Sequence, residues 1–379
     1  MAEARETADA VVVGGGIAGA SAAHWLSASG ARVVLLEQEV GLAHHTTGRS
    51  AALYLENYGS AAVRRLTLAS RPFLESPPDG LADVELLSSR PALDVAGPGR
   101  DAQLAEHARV GAALVPGIRR LTAEQAVAEC PVLRREAIGG AVLDPGSMDI
   151  DVMALHQAFI RGLRRGGGQV RTSQRVVEIE PGPVWRVRTA DGSEIGTPVV
   201  VDAAGAWGDR IASLAGVATA GLRPLHRTAF TVPLPDGLDA RGWPLVQDLD
   251  EGWYFKPEGE GLLCSLADEM PAEPGDPRPR EEDVALAMER INDATTLGLR
   301  RVRVAWAGLR TFAPDRLPVI GEDPDAPGFV WLVGLGGFGI MTSPAGGMLA
   351  AATALGQPLP AALADRGVEP ADYSAARLR

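Results

Sequence analysis

Three glycines and one acidic residue near the start of the chain have the types and spacing of a phosphate-binding turn. Gly14, Gly16 and Gly19 form a GxGxxG pattern, and Glu37 follows it. Such glycines allow a tight turn and a close approach of the backbone to a pyrophosphate, whose charge the next helix N-terminus stabilises. An acid about 20 residues further on can accept hydrogen bonds from ribose hydroxyls. The pattern predicts a dinucleotide site; the alternatives are an unliganded strand-to-helix turn and a solvent-facing Glu37.

The elements around these residues have the order that such a site needs. Ala10–Val13 is a short apolar run that predicts a buried strand ending at the first glycine. The alanine-rich segment after the glycines predicts a helix that ends at Gly30. Residues 32–36 predict a second strand, which places Glu37 at its carboxyl end. Together these elements favour a dinucleotide-binding unit.

Two later segments carry similar signals. Residues 198–201 predict a strand that runs into the sequence DAAGAW, and residues 329–333 predict another before the glycine loop 334–339. A helix is expected to follow that loop over residues 344–355. Because the signals lie far apart in the chain, we expect a Rossmann-like α/β domain assembled from the discontinuous segments 1–80, 146–220 and 306–379.

The remaining segments predict a second domain. Residues 226–267 alternate like antiparallel strands, so we expect 81–145 and 221–305 to form an α+β substrate-binding domain on a largely antiparallel sheet. Within the segment 146–220 of the first domain, the apolar spacing of residues 151–165 predicts a helix, and the alternating pattern of residues 169–179 predicts one strand.

Composition excludes several classes of protein. Acidic residues outnumber basic ones by 48 to 36, which argues against binding along nucleic-acid phosphates. Cys130 and Cys264 lie far apart, without the spacing of a zinc site or a disulfide framework, so no metal is expected. The first residues lack the pattern of a signal peptide, and no apolar run is long enough to cross a membrane. We therefore expect a cytoplasmic protein with no transmembrane segment and no nucleic-acid partner.

Four longer stretches carry a resemblance to a known family. They are VVVGGGIAGASAAHWLSASG, HTTGRSAA, VVVDAAGAW and GLGGFGIMTSPAGG. The chain resembles the D-amino-acid-oxidase-like family of FAD-dependent oxidoreductases over nearly its whole length. TGRSAALYLENYG, WYFKP and WAGLR are similar to the bacterial D-arginine dehydrogenases of that family. The resemblance implies FAD as the cofactor and a small amino acid as the substrate.

The resemblance also implies which residues bind FAD. The glycine turn and the helix that follows it would neutralise the pyrophosphate, and Glu37 would bind the adenosine ribose. A second segment would pass beside the phosphates and the isoalloxazine, and the glycine loop would precede a helix that stabilises the reduced flavin. The implied contacts are Gly14, Gly16, Ile17, Ala18, Gly19, Glu37, Gln38, Thr47, Gly48, Arg49, Ser50, Ala51, Ala52, Val176, Ala204, Gly205, Trp207, Gly336, Gly337, Phe338, Gly339, Ile340 and Met341.

Covalent attachment of the flavin is not expected. Related sarcosine oxidases use a cysteine at the position that Thr311 occupies here, and both cysteines of this chain lie elsewhere. His44 and His45 are the alternative attachment points. The expectation is FAD bound without a covalent link.

Four residues match the positions that hold a substrate carboxylate in the family. Arg310 and Arg227 would clamp the carboxylate, because a guanidinium fork matches it in a bidentate way. Tyr254 and Tyr58 would donate their phenol hydroxyls to it. The implied reaction transfers a hydride from Cα to flavin N5, and the imine product hydrolyses to a 2-oxo acid and ammonia.

The expected side-chain pocket departs from that of the D-arginine dehydrogenases. Leu53, Leu55, Ala92 and Met341 stand where those enzymes have polar contacts, and Gly308 completes the set. A guanidinium buried without a carboxylate partner is strongly disfavoured. The sequence therefore predicts that the substrate is a D-amino acid with an uncharged, apolar side chain. The alternative is that Glu56, on a mobile loop, moves toward a cationic side chain and pairs with it.

Two other functions remain open. One is an oxidase of an N-methyl or cyclic amino acid, although the lysine that sarcosine oxidases place above the flavin is matched by a leucine within residues 261–264. The other is a flavin-binding protein with a structural or sensing role. The electron acceptor is equally open among a quinone, an electron carrier and oxygen.

Overall fold

The computed structural model describes residues 6–379. Its helices are α1 Ile17–Ala28, α2 Ala61–Glu75, α3 Asp101–Ala112, α4 Ala123–Glu129, α5 Val152–Arg165, α6 Gly208–Leu214, α7 Glu281–Ala294, α8 Gly339–Ala354 and α9 Ala361–Ala364. Short 3₁₀ turns lie at Thr46–Arg49, Gly205–Trp207, Pro370–Asp372 and Ala375–Leu378. None of the helices in this described part of the chain has the length and apolar character needed to span a membrane.

The strands alternate with these helices along the chain. They are β1 Glu6–Thr7, β2 Ala10–Val13, β3 Val33–Leu36, β4 Leu53–Tyr54, β5 Leu87–Ser89, β6 Ala92–Ala96, β7 Arg119–Thr122, β8 Gly140–Asp144, β9 Met148–Ile150, β10 Gln169–Arg171, β11 Val176–Glu180, β12 Trp185–Thr189, β13 Glu194–Thr197, β14 Val200–Asp202, β15 Arg223–Pro233, β16 Leu245–Asp248, β17 Tyr254–Glu258, β18 Gly261–Ser265, β19 Met270–Pro271, β20 Val304–Phe312, β21 Val319–Asp323 and β22 Ala326–Val333.

The first sheet confirms the Rossmann-like domain built from separate segments. Its strand order is β10-β3-β2-β14-β22-β21, with β2, β3, β10, β14 and β22 parallel and β21 antiparallel to β22. Helix α1 packs against α5 and α8 on one face of this sheet. Both faces of the central strands β2, β3 and β14 are buried, which is why β2 and β3 are continuous apolar runs and β14 is apolar up to Asp202.

The second sheet confirms the largely antiparallel substrate domain. Its order is β19-β15-β18-β17-β16-β6-β8-β7, and β20 also pairs with β15. Only the β16–β6 pair within this sheet is parallel among the described strands. Strand β20 starts at Val304 and pairs with β15 along its whole length, so it belongs to this sheet, whereas the sequence predicts residues from 306 onward in the Rossmann-like domain.

Two smaller sheets complete the fold. One has the order β1-β13-β12-β11, and the other has the order β4-β9-β5. In the second of these, Leu53 of β4 pairs with Asp149 of β9, which places the segment after the Thr46–Arg49 turn in this small sheet.

The strand predicted over residues 169–179 is two strands in the structure. Its first part, β10, extends the parallel sheet, and its second part, β11, pairs with β12 in the β1-β13-β12-β11 sheet. Between them Ser173 adopts a positive φ of 56° and donates its amide to the Glu39 carbonyl at 2.8 Å. Alternating polarity does not reveal that a chain leaves one sheet for another, because both halves keep the same period.

The helix after the glycine loop begins five residues earlier than the sequence predicts. Helix α8 starts at Gly339, and Pro344 lies inside it. A proline has no N–H to donate to the carbonyl four residues before it, which here is that of Ile340. The Ser343 hydroxyl donates to that carbonyl instead, at 2.8 Å. The helix therefore tolerates Pro344 and brings Gly339 and Ile340 into its first turn.

Candidate active site

The glycines of the turn differ in what an added Cβ atom would meet at each position. Gly14 has a positive φ of 111°, and a Cβ there would lie 2.5 Å from the Ala203 carbonyl oxygen. A Cβ at Gly19 would lie 1.9 Å from the Gly14 carbonyl oxygen, so α1 can pack on the turn only with glycine there. Gly16 differs, because its Cβ would meet only the Thr47 hydroxyl, at 3.2 Å. Its open side faces a large cavity, the cofactor cavity, as a pyrophosphate site requires.

The positive end of α1 opens into the same cavity. No acidic residue occupies its first turn, and its N-cap residue, Gly16, has no side chain to cap the helix. The Ile17 amide donates to the Thr47 hydroxyl at 3.0 Å, while Ile17 and Ala18 line the cavity. A helix N-terminus without an acidic cap retains its positive field, which favours binding of a phosphate anion.

Glu37 lies where the sequence predicts it, at the end of β3 on the cavity wall. Its carboxylate accepts hydrogen bonds from the amides of Gly15 at 2.7 Å and Glu39 at 2.9 Å. These bonds orient the side chain, which is 8% exposed. Each carboxylate oxygen has a further lone pair, so Glu37 can still accept from ribose hydroxyls.

A second segment of the cavity wall is fastened to β20. The Thr46 hydroxyl donates to the Leu309 carbonyl at 2.8 Å, and Arg49 donates to the Ala307 carbonyl at 2.8 Å. In return, the Trp306 indole donates to the Arg49 carbonyl at 3.0 Å. These three bonds hold the cofactor segment and the strand that carries Arg310 as one unit.

Most of the residues expected to contact FAD line the cofactor cavity. The lining includes Gly14, Gly16, Ile17, Ala18, Glu37, Gln38, Thr47, Arg49, Ser50, Ala51, Val176, Ala204, Gly205, Trp207, Gly336, Gly337, Gly339 and Ile340. Gly19 and Gly48 lie behind it, since a Cβ at Gly48 would be 2.4 Å from the Ala43 carbonyl oxygen. Phe338 packs against the Tyr58 ring, and Ala52 and Met341 line a smaller adjoining cavity, the substrate cavity.

No cysteine is placed to attach a flavin. Cys130 and Cys264 are both buried in the apolar core of the large sheet. Thr311, His44 and His45 do line the cofactor cavity. The Thr311 hydroxyl is buried and has no hydrogen-bond partner among residues 6–379.

The four predicted substrate residues converge where the two cavities meet. Arg227, Arg310 and Tyr254 line both cavities, and Tyr58 lines the substrate cavity. The Arg310 guanidinium lies against the glycine loop, because a Cβ at Gly337 would be 3.1 Å from its Nη1 atom. Across the part of the chain that the structure describes, Arg310 has no hydrogen-bond or ion-pair partner, and neither phenol hydroxyl has one.

The electrostatics of this group favour an anion. Burial, and after it the neighbouring Arg310 cation, lowers the pKa of Arg227, which is 8% exposed. Glu269 contacts Arg227 at 3.3 Å, but the Arg227 Nε is buried without a partner. Burial also raises the pKa of Tyr58, which keeps its hydroxyl a donor. Two close cations with a deficit of acceptors indicate a binding site for a carboxylate.

The side-chain pocket agrees only in part with the sequence. Leu53, Leu55 and Met341 line the substrate cavity, whereas Gly308 lines the cofactor cavity. Ala92 lies outside both cavities; it is 3% exposed and pairs in register with Leu245 of β16. The side chain that lines the cavity is that of Leu245 on the neighbouring strand. The expectation that Ala92 lines the side-chain pocket is therefore wrong.

Five residues that line the substrate cavity are not indicated by the sequence. Leu245 and Gln247 lie on β16, Glu251 and Trp253 lie between β16 and β17, and Ala267 follows β18. Glu251 has a positive φ of 55°. The alternation of Leu245 and Gln247 places them on one face of a strand, but only the sheet register shows which face meets the cavity.

Comparisons with known proteins agree with this architecture. The solved structure of glycine oxidase from Geobacillus kaustophilus superposes with a TM-score of 0.86 and 22% identity over 98% of each chain. L-proline dehydrogenase from P. horikoshii gives a TM-score of 0.84 and 21% identity over 99% of this chain and 98% of that one. These likenesses show a shared fold.

Sequence comparison gives the same picture. Dimethylglycine dehydrogenase of Rattus norvegicus is 23% identical over 89% of this chain, which spans 42% of that protein's length. Glycine oxidase of Geobacillus kaustophilus is 25% identical over 90% of this chain and 92% of its own. The family model described as FAD dependent oxidoreductase, DAO, matches residues 9–353. The cofactor is FAD, and the chain belongs to the DAO family of FAD-dependent oxidoreductases.

Proposed function

We propose that this enzyme oxidises the amine of an amino acid whose nitrogen carries a substituent, such as an N-methyl or cyclic amino acid. The observation that carries the proposal is the unpaired Arg310 guanidinium beside Arg227, with two free phenol hydroxyls at the junction of the cavities. This arrangement suits a carboxylate anchored next to the cofactor cavity.

The residues of the site would act by binding and by electrostatics. Arg310 and Arg227 would orient the carboxylate, and Tyr58 and Tyr254 would complete its hydrogen bonds. The same two cations lower the pKa of a nearby substrate ammonium group, which favours the neutral amine whose lone pair assists oxidation. Bound FAD supplies the acceptor for the hydride that leaves the substrate carbon.

The first turn of α8 contributes a further electrostatic effect. Gly339 and Ile340 line the cofactor cavity, and no acidic residue lies in that turn. The positive end of the helix favours negative charge in the cavity, which is the charge that a reduced flavin acquires. We expect FAD to be held without a covalent link, since both cysteines lie in the core of the large sheet.

The choice of an N-substituted substrate rests on the relatives. Dimethylglycine and L-proline, named for two of the relatives described above, have substituted nitrogens, whereas glycine, named for a third, does not. None of these three compounds is a D-amino acid with a long side chain. A D-amino acid with an apolar side chain is the second candidate, because Leu53, Leu55, Leu245 and Met341 surround the substrate cavity. The relatives do not support the narrower likeness to D-arginine dehydrogenase.

The lysine content favours a dehydrogenase over an oxidase. Lys256 is the chain's only lysine. It is 7% exposed, forms ion pairs with Asp149 at 2.7 Å and Glu258 at 3.1 Å, and lies outside both cavities. No ammonium side chain is therefore placed beside the cofactor, so we expect slow reaction with oxygen and faster reaction with a quinone or an electron carrier.

Anaerobic bleaching of the bound flavin tests the proposal. Sarcosine, dimethylglycine and proline should reduce the flavin faster than D-leucine, D-phenylalanine or D-arginine. Faster reduction by D-leucine would establish the second candidate instead, and no reduction by any compound would exclude an amino-acid-oxidising role. Acid precipitation should release the FAD into solution, and flavin retained by the denatured chain would contradict the non-covalent assignment.

A further inference from the structure

Gln247 is a polar side chain on the wall of the substrate cavity, which also carries Glu251. Its neighbours on the cavity wall include Leu245, Trp253 and Leu53. Strand β16 pairs with β6 in parallel register, which sets Gln247 directly beside Asp94. The Gln247 amide nitrogen donates a hydrogen bond to Asp94 Oδ1. The orientation of this amide is therefore determined by a side chain outside the cavity.

Asp94 is itself held in place. It is 6% exposed, and its second oxygen contacts His107 Nε2 at 2.7 Å. A carboxylate can only accept hydrogen bonds, so the NH₂ group of Gln247 must face Asp94 and the carbonyl oxygen must face another way. Among residues 6–379 no donor reaches that carbonyl oxygen. An acceptor is thus fixed on the cavity wall without a protein partner.

We propose that Gln247 is a specificity-determining residue that accepts a hydrogen bond from a hydroxyl or N–H group on the substrate's side chain or nitrogen substituent. The inference rests on the proposed function, because it assumes a carboxylate anchored at Arg310. Leu245, Trp253 and Leu53 would cover the carbon skeleton, and Gln247 would select skeletons that carry a donor. A substrate with only methyl groups there would leave the amide oxygen without a partner, which is unfavourable in a desolvated pocket.

Pairs of ligands that are not oxidised test this directly. 4-Hydroxybutanoate and pentanoate differ only by a hydroxyl in place of a methyl group, as do 5-hydroxypentanoate and hexanoate. Calorimetry on the FAD-loaded enzyme gives the dissociation constant of each, and the measured quantity is the ratio within a pair. Using the ratio removes the general cost of burying a hydroxyl, which affects wild type and variants alike.

Gln247→Met should shift that ratio about 3- to 10-fold against the hydroxylated ligand, since a single hydrogen bond contributes this much. Gln247→Leu serves as a second variant, with the melting temperature as the check on folding. Gln103→Met, the same exchange at an exposed position of α3 outside both cavities, is the matched control and should leave the ratio unchanged. An equal ratio in wild type and both Gln247 variants would overturn the proposal.

The two proposals fail in different ways. If Arg310→Met does not weaken binding of any of these carboxylates, the anchoring role of Arg310 and the proposed function are wrong. If Arg310→Met weakens all four ligands but the Gln247 variants leave both ratios unchanged, only the role of Gln247 is wrong.

Discussion

The two cavities are made of different parts of the chain. Around the glycine turn, the groups expected to contact FAD are backbone amides and one oriented carboxylate, on a cavity wall formed largely by residues 13–18, 36–38 and 43–51. The substrate cavity is instead formed largely by side chains from residues 50–58 and from β15, β16, β17, β20 and α8. A backbone site is damaged by adding atoms, whereas a side-chain site is damaged by removing them.

This difference determines which residue types each cavity requires. A backbone amide is the same in every residue type, so the cofactor region needs only glycine where space is limiting. The substrate cavity depends on which side chains project into it, and a single exchange changes what it binds.

Gly16→Leu should abolish FAD binding while the chain still folds. The added Cβ would meet only the Thr47 hydroxyl within the protein, so the rest of the side chain would enter the space of the pyrophosphate. The flavin absorbance of the purified protein measures the loss. Gly41→Leu is the matched control, because a Cβ there meets nothing within 4 Å. Normal flavin content in Gly16→Leu would show that the turn does not bind the cofactor.

Arg310→Met should leave FAD bound and lower kcat/KM about 30- to several thousand-fold, since a charge-assisted contact contributes roughly 2–5 kcal/mol. Arg227→Met should act in the same direction. Steady-state kinetics with the substrate found by flavin bleaching would measure both. Arg301→Met, an exposed arginine just before β20, is the control. Unchanged kinetics in Arg310→Met would remove it from the site.

Ala92→Glu should destabilise the fold by about 2–4 kcal/mol and should not create a preference for D-arginine. Ala92 is buried and pairs across β6 and β8 with Asp144, whose pKa burial raises. A second carboxylate there would be unpaired and next to a like group. Ala92→Gln has the same size without the charge and should cost less in denaturant unfolding. A gain of D-arginine turnover would place position 92 in the substrate cavity after all.

His107→Gln should have the smallest effect, below about 1 kcal/mol, because the imidazole is 40% exposed. The hydrogen bond to Asp94 raises the pKa of His107 above its unfolded value. The stabilisation is therefore complete below the unfolded pKa and is lost as the pH rises through the folded pKa. Unfolding free energies of wild type and variant should differ more at about pH 5.5 than at about pH 9. A difference that grows with pH would contradict this sign.

Much of the cofactor region could be predicted from the sequence. Gly14, Gly16, Gly19 and Glu37 lie within one strand–helix–strand unit, so local patterns specify their relative positions. The predicted helix and strand bounds are wrong where the tertiary structure overrides a local sequence rule. Helix α8 runs through Pro344 because Ser343 satisfies the freed carbonyl, and the alternating run after α5 divides between two sheets.

The substrate cavity shows what the sequence alone leaves open. The resemblance identifies Arg227, Arg310, Tyr58 and Tyr254 as candidates. No sequence pattern indicates that Gln247 lines the same cavity, or that Leu245 lines it in place of its neighbour Ala92. Sheet register and strand order depend on the packing of whole strands, and a shift of one strand or one residue changes which side chains face a cavity. Local spacing thus determined that this chain binds a dinucleotide, whereas long-range pairing of β6, β16 and β17 decided which side chains line the substrate cavity.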